Sequence, residues 1–280
     1  MSNQANFPHK FSCEFSAPRT PEACEKLRQV HKRLLAINPD FFSVTYGAGG
    51  STKDGTKQAV LDIKATGSDV APHLSFGSDS EEKIEALIHE YREAGITRVV
   101  ALRGDVPSGA GGGSLRYANE LVAFIREKTG DHFHIEVAAY PEVHPDSRSA
   151  ASDIDYFKRK VDAGANSALT QYFYNADAYF WYVDACEKRG IDLPIVPGIM
   201  PITNFASLVR FSDKCGAEIP RWIRRSLESW ADDPESQKKF GEEVVTRLCQ
   251  RLLDGGAPGL HFYTLNQSLP TLRLWRNLGL

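Results

Sequence analysis

The chain has 280 residues, 42% hydrophobic and 25% charged, with a formal net charge of −3. That length suits one large barrel domain or two ordinary domains, and the near-neutral charge gives no footing for nucleic acid or an anionic membrane. No apolar run approaches the ~18 residues that span a bilayer, and the polar segment 1–10 lacks the apolar core of a secretory signal, so the sequence points to a cytoplasmic protein. The five cysteines, Cys13, Cys24, Cys186, Cys215 and Cys249, are odd in number, widely spaced and without a C-x-x-C pair. They read as reduced thiols, not as a zinc site.

In chain order, a first strand is expected over 11–17. Thr20-Pro21 then supplies a cap and a first-turn proline for a helix over 21–37. Strands follow at 41–47 and 70–76. Ser80 with Glu81 and Glu82 opens a helix over 81–94, and Gly95 closes it. The strand at 98–105 leads through the glycine-rich loop 110–114 to a helix over 115–129. A strand at 134–141, a helix over 149–163, a strand at 168–174 and a helix over 176–189 come next, the helices ending at Gly164 and Gly190. A strand at 194–201 precedes a longer stretch with helices over 220–228 and 234–253, and a last strand is expected at 259–266. Alternating strands and helices imply parallel strands with right-handed crossovers. Eight such units with no dividing linker predict one domain over 1–280, a (β/α)8 TIM barrel with extra helices before the last strand.

Strand after strand runs apolar and ends polar, as an active site at the C-terminal barrel mouth requires. Glu14 interrupts the first strand; poor solvation there favours the protonated carboxyl, a candidate general acid, with an ion pair to Arg19 as the alternative. Arg103 and Asp105 point to one side of their strand, with Gly104 allowing a flat ligand or another backbone close; a rim salt bridge is the alternative. Pro141 and Pro145 flank Glu142 and His144 and suggest a rigid ligand-presenting loop; no third ligand is spaced for a metal. Asp153 lies two turns before Lys160 on one helix face, either a solvated face or a grip on a nucleotide. Two phosphate-loop lookalikes fail: 50–57 misplaces its lysine, and 47–50 and 109–112 lack the third glycine of G-x-G-x-x-G.

Nine segments then appear in order: Glu14-Phe15 with Pro18-Arg19-Thr20; Ser43-Val-Thr-Tyr-Gly47; Ala71-Pro-His-Leu74; Ala101-Leu-Arg-Gly-Asp105; Ala138-Ala-Tyr-Pro-Glu-Val-His-Pro145; Lys158-Arg-Lys-Val-Asp-Ala-Gly-Ala-Asn166; Thr170-Gln171; Pro197-Gly-Ile-Met-Pro201; and His261-Phe-Tyr-Thr-Leu-Asn266. Together they resemble the methylenetetrahydrofolate reductase family in its short bacterial form. The resemblance implies FAD at the barrel mouth, reduced by NADH or NADPH, and ping-pong reduction of 5,10-methylenetetrahydrofolate to 5-methyltetrahydrofolate. It implies flavin contacts from Thr45, Tyr46, Ala48, His73, Arg103, Gly104, Asp105, Tyr117, Ala118, Tyr140, His144, Asp153, Arg159 and Lys160. Glu14 matches the general acid, and Asp105 a charge between flavin and folate. Gln171, Phe211, Ser207, Tyr263 and Gln267 match substrate-binding positions. Ser207 and Gln267 stand where bacterial members often carry glutamine and arginine, and Tyr156 replaces a polar residue on the adenosine side. The resemblance also implies a homo-oligomer, and no partner in nucleic acid or membrane. Two other readings stand beside it. One is a cofactor-free barrel lyase or aldolase, disfavoured because no strand carries a central lysine. The other is a flavin- or folate-binding protein without turnover.

Overall fold

The structure, a computed structural model, describes residues 2–46, 53–77, 79–103 and 117–280. Among these, nine parallel strands form one sheet: β1 (Lys10–Phe15), β2 (Phe41–Val44), β3 (Val70–Leu74), β4 (Arg98–Ala101), β5 (His134–Ala139), β6 (Ser167–Thr170), β7 (Ile195–Val196), β8 (Gly198–Ile199) and β9 (Gly259–Tyr263). Their order is β7-β6-β5-β4-β3-β2-β1-β9-β8. The expected seventh strand is a single run split at Pro197, which has no N–H to give the ladder. β7 pairs with β6 and β8 with β9, and the Pro197 carbonyl accepts the His261 N–H at 3.0 Å. The split strand therefore closes an eight-unit β/α barrel.

Around it lie α1 (Pro21–Leu34), α2 (Lys53–Ala65), α3 (Glu81–Glu93), α4 (Ala118–Thr129), α5 (Ala150–Asp162), α6 (Ala176–Glu187), α7 (Phe205–Cys215), α8 (Arg221–Ser229), α9 (Pro234–Asp254) and α10 (Ser268–Leu278). Local chemistry sets their ends. Thr20 Oγ1 accepts the Ala23 N–H and Asn204 Oδ1 accepts that of Ser207, each satisfying a donor the first helical turn leaves over. The expected strands run past the ladder at their C-terminal ends. Single bonds carry the edge a little further, Leu102 N–H to Leu74 O and Gln171 N–H to Ala139 O. No helix of the described residues is long and apolar enough to cross a membrane.

Most of the core lies between sheet and helices, but a second apolar cluster fills the barrel lumen: Phe41, Ala71, Val100, Leu169 and Val196, with Leu102 packed on it. Beneath this plug, at the N-terminal strand ends, sits a charge cluster. Arg98 Nη1 lies 2.5 Å from Glu136 Oε1, and Ser167 Oγ donates to Glu136 Oε2 at 2.5 Å. The Arg98 guanidinium lies 4.5 Å from the Phe41 ring centre. Burial pushes the Glu136 carboxyl up, but bonds from His134 and Ser167 and the charges of Arg98 and His134 outweigh it, and the group is held below its usual range. Its stabilisation is therefore present above the unfolded carboxyl value of about 4.3 and is lost as pH falls through the lower folded value. The cluster forms the floor on which the plug, and above it the site, rests. Glu136→Gln, which leaves Arg98 without its counter-charge, is expected to cost about 3 kcal/mol at pH 7. In urea unfolding the gap to the parent should narrow below pH 4.

Candidate active site

Above the plug the lumen turns polar. β1 brings Ser12 and Glu14 inward, β2 brings Ser43, β3 His73 and β9 His261 and Tyr263, all at alternate positions facing one way. The registers pair Ser12 with His261 and Glu14 with both Ser43 and Tyr263. The Glu14 carboxylate, 16% exposed, lies between two buried imidazoles, its Oε2 3.4 Å from His73 Nε2 and 3.5 Å from His261 Nε2. Burial, against the pull of Glu14, lowers the His73 pKa, keeping that ring neutral. Gly198 makes room for Tyr263. A Cβ there would lie 2.2 Å from the Thr170 carbonyl oxygen and 2.6 Å from the tyrosine ring, and the Tyr263 hydroxyl donates to that carbonyl at 2.7 Å.

Over this floor opens a cavity of about 750 Å³. It collects Glu14, Thr45, Tyr46, His73, Arg103, Tyr140, His144, Gln171, Phe211 and Tyr263, ten of the positions expected from the sequence. A second lobe of about 410 Å³ shares Leu102, Arg103, Ala138, Tyr140, His144 and Asp146 with the first and adds Tyr117, Ala118, Asp153, Tyr156 and Lys160. The two form one bent trough. Arg103 stands at the junction, paired with Asp146 at 2.6 Å. Burial, then the charge of Arg103, lowers the pKa of His144, whose ring packs edge-on against Tyr140. Lys160 donates to the Ala138 carbonyl at 2.5 Å, and burial, opposed by Asp153, brings its ammonium down to about 8.

The expected set does not assemble entire. Ala48, Gly104 and Asp105 lie outside the described residues. Arg159 is not among the residues lining either cavity; its guanidinium lies 4.9 Å from the ring centre of Tyr156, which does line the side lobe. Asp153 lines the lobe but spends its carboxylate on its own loop, accepting from the His144 N–H and the Ser147 hydroxyl. Ser207 faces Arg210, which donates to its hydroxyl at 2.9 Å. Gln267 lines a separate cavity of about 320 Å³ with Lys238 and Arg273, while Leu265, two residues before it, lies on the main cavity wall. Glu142 is a loop fastener: its Oε2 accepts the Glu218 N–H at 2.8 Å. Burial raises it to about 7, with that bond working against the shift and the Glu218 charge adding to it. Among the described residues no three His, Cys, Asp or Glu side chains are grouped to hold a metal.

The sequence reading passed over several groups that the structure brings in. His261 was one, though its alternation with Tyr263 was the available signal. Ser12 behind it, and Lys214 and Cys215 one turn beyond Phe211 on α7, were others. α7 is bounded by Asn204 at its N-cap and by Gly216, whose φ of 75° is the left-handed cap a glycine favours.

The trough suits a long, bent, flat-ringed ligand with an anionic centre. Many of its walls are aromatic, and among the described residues four cations line it: Arg19 and Lys214 in the main cavity, Arg103 at the junction and Lys160 in the side lobe. FAD has that shape and charge, so the donor set fits it. The 5,10-methylenetetrahydrofolate reductases of Pectobacterium carotovorum and Escherichia coli are 40% and 39% identical over 96% of this chain and 89% and 90% of their own lengths. Methylenetetrahydrofolate reductase (NADH) 1 of Arabidopsis thaliana is 39% identical over 96% of this chain and 48% of its own. A Clostridium thermocellum protein, solved as binding two copies of 5-methyl-5,6,7,8-tetrahydrofolic acid, superposes with a TM-score of 0.67 over 99% of this chain and 96% of its own. At 14% identity that is a likeness of fold. The family model for methylenetetrahydrofolate reductase matches residues 2–279, and with relatives near 40% identical along almost the whole chain, the protein belongs to the methylenetetrahydrofolate reductase family.

Proposed function

We propose that the chain reduces 5,10-methylenetetrahydrofolate to 5-methyltetrahydrofolate in two half-reactions of ping-pong order, with NADH or NADPH as donor and FAD held in the trough. The observation that carries this reading is Glu14, a single carboxyl set between two buried histidines at the floor of a cavity wide enough for stacked rings. The chemistry needs such a group. The imidazolidine ring of the folate opens only if its leaving nitrogen takes a proton, and the carbon is left in a cationic C=N bond. Glu14 gives that proton. Asp105, just past Arg103, is assigned to stabilise the cation. When bound, FAD supplies the hydride, which it has received from the nicotinamide.

The chain's own residues do the rest. Lys160 and Arg103 would meet the cofactor's phosphates. Tyr117, Ala118, Tyr156 and Asp153 would wall its adenosine side, and Thr45, Tyr46, His73, Tyr140 and His144 its ring side. Phe211, 44% exposed on the cavity wall, offers a flat platform for a substrate ring. Gln171 stands nearby with its carbonyl occupied by the Tyr172 N–H at 3.0 Å, leaving its NH2 to donate. Tyr263 borders the floor. Ser207 and Gln267 lie past the cavity edge, where they are assigned only the outer tail of a folate.

Purified protein should be yellow, and denaturation should release FAD. NADH or NADPH should bleach the bound colour and methylenetetrahydrofolate restore it. Absence of flavin after reconstitution would leave the lyase reading, and colour without bleaching the binding-protein reading. Glu14→Gln keeps the shape but not the acidic proton. It should slow reoxidation by the folate by at least ~10²-fold. Reduction by the nicotinamide should stay within about tenfold, roughly 1.4 kcal/mol of barrier. Stopped-flow absorbance separates the two, and an equal loss in both would make Glu14 a structural group.

A further inference from the structure

His261 is fully buried, and its two ring nitrogens face two different groups. Nδ1 lies 2.7 Å from the hydroxyl of Ser12, itself 1% exposed, while Nε2 has no hydrogen-bond partner and lies 3.5 Å from Glu14 Oε2. A neutral imidazole carries one proton, so what happens at Nδ1 decides what Nε2 presents. If Ser12 accepts from Nδ1–H, Nε2 offers Glu14 a lone pair and favours the carboxylic acid. If Ser12 donates to Nδ1, Nε2–H faces Glu14 and favours the carboxylate.

We propose that Ser12 is a positioning residue: by accepting from Nδ1 it pins His261 in the tautomer whose Nε2 lone pair faces Glu14, and so keeps the acid charged with its proton. The inference rests on Glu14 being the proton donor. The other groups around Glu14 leave this task to the Ser12–His261 pair. His73 is neutral and buried on the β3 side, with its Nε2 likewise unpartnered at 3.4 Å. Tyr263, beside Glu14 on β9, has its hydroxyl proton committed to the Thr170 carbonyl. Ser43, opposite on β2, is uncharged. Arg19, Arg103 and Lys214 lie on the cavity wall, where a cation favours the ionised carboxylate and so opposes an acid. In a turnover Glu14 loses one proton to the leaving nitrogen and regains one from water at the open cavity. His261 and Ser12 gain and lose none, which is why they can be wholly buried.

Two measurements test this. In protein labelled with 15N at histidine, the His261 ring nitrogens should report a protonated Nδ1 and a bare Nε2; the opposite tautomer would overturn the proposal. In Ser12→Ala, Nδ1 loses its acceptor, and a bare buried lone pair is less costly than a bare buried N–H. The tautomer should therefore reverse, Nε2–H should face Glu14, and the pH at which the folate half-reaction falls to half should move down by about one unit. That is roughly tenfold in rate on the alkaline side. The nicotinamide half-reaction should be unmoved, and Ser12→Thr, which keeps the hydroxyl, should restore the parent profile. If the alanine variant does not fold, Ser12→Cys, with its weak acceptor, is expected to shift in the same direction. A profile that superposes on the parent's, while Glu14→Gln is inactive toward folate, removes the role of Ser12 alone. Full folate activity in Glu14→Gln removes the acid reading and this inference with it.

Discussion

A carboxyl group that must give up a proton inside a barrel lumen needs neighbours that tolerate it with the proton on, and the rest of this structure is arranged around that need. The nearest side chains to the Glu14 carboxyl are fixed groups, the two imidazoles, while its other side faces the open cavity. Two imidazoles serve because each presents either a donor or a lone pair from the same nitrogen position. Strand register places them, and Ser12 bonds His261 from behind: His73 and His261 sit on β3 and β9, and every inward residue of those strands is placed by the period of two. The apolar plug beneath them and the Arg98–Glu136 cluster beneath that keep the floor from shifting.

The plug also separates two uses of buried charge. Below it, Glu136 is bonded by a hydroxyl and faces a guanidinium, a paired ion whose value lies in stability. Above it, Glu14 has only neutral or switchable neighbours within reach, with both facing nitrogens left without hydrogen bonds. Stability asks that every buried polar group be satisfied. The two unmet nitrogens both face Glu14, the group assigned to pass the proton. The bent trough extends the same logic outward: its side lobe and its floor meet at Arg103, so one long ligand can reach from the Lys160 side to the Glu14 side without leaving the protein.

Much of this was legible in the sequence, for particular reasons. Parallel strands with polar C-terminal ends announced both barrel and mouth, because period-two alternation and the site location of such barrels are strong constraints. What spacing leaves open is angular or long-range. Arg159 and Lys160 are adjacent on a helix and so point about 100° apart; Lys160 lines the lobe, and Arg159 stacks on Tyr156 of its wall. Ser207 and Gln267 belong to α7 and to the turn before α10, whose rotation about the rim follows from packing that spacing does not encode. His261 was quoted within a motif but not read as part of the site, since a lone histidine in an apolar strand looks like any buried polar group. Its partner Ser12 is 249 residues away in sequence, and only closure of the barrel brings them to 2.7 Å. The seventh strand, expected as one run over 194–201, is divided on the ladder at Pro197, whose missing N–H the strand pattern does not weigh.

The account turns on Glu14 meeting the folate nitrogen that leaves. The most direct measurement is a structure of the Glu14→Gln protein with FAD and 5-methyltetrahydrofolate bound, read for the distance from the position-14 side chain to that nitrogen. The account predicts hydrogen-bond reach, about 2.6–3.2 Å directly or through one water, with the pterin ring over the floor formed by His73, His261 and Tyr263. A folate seated with that nitrogen turned away from position 14, and no water between them, would contradict it.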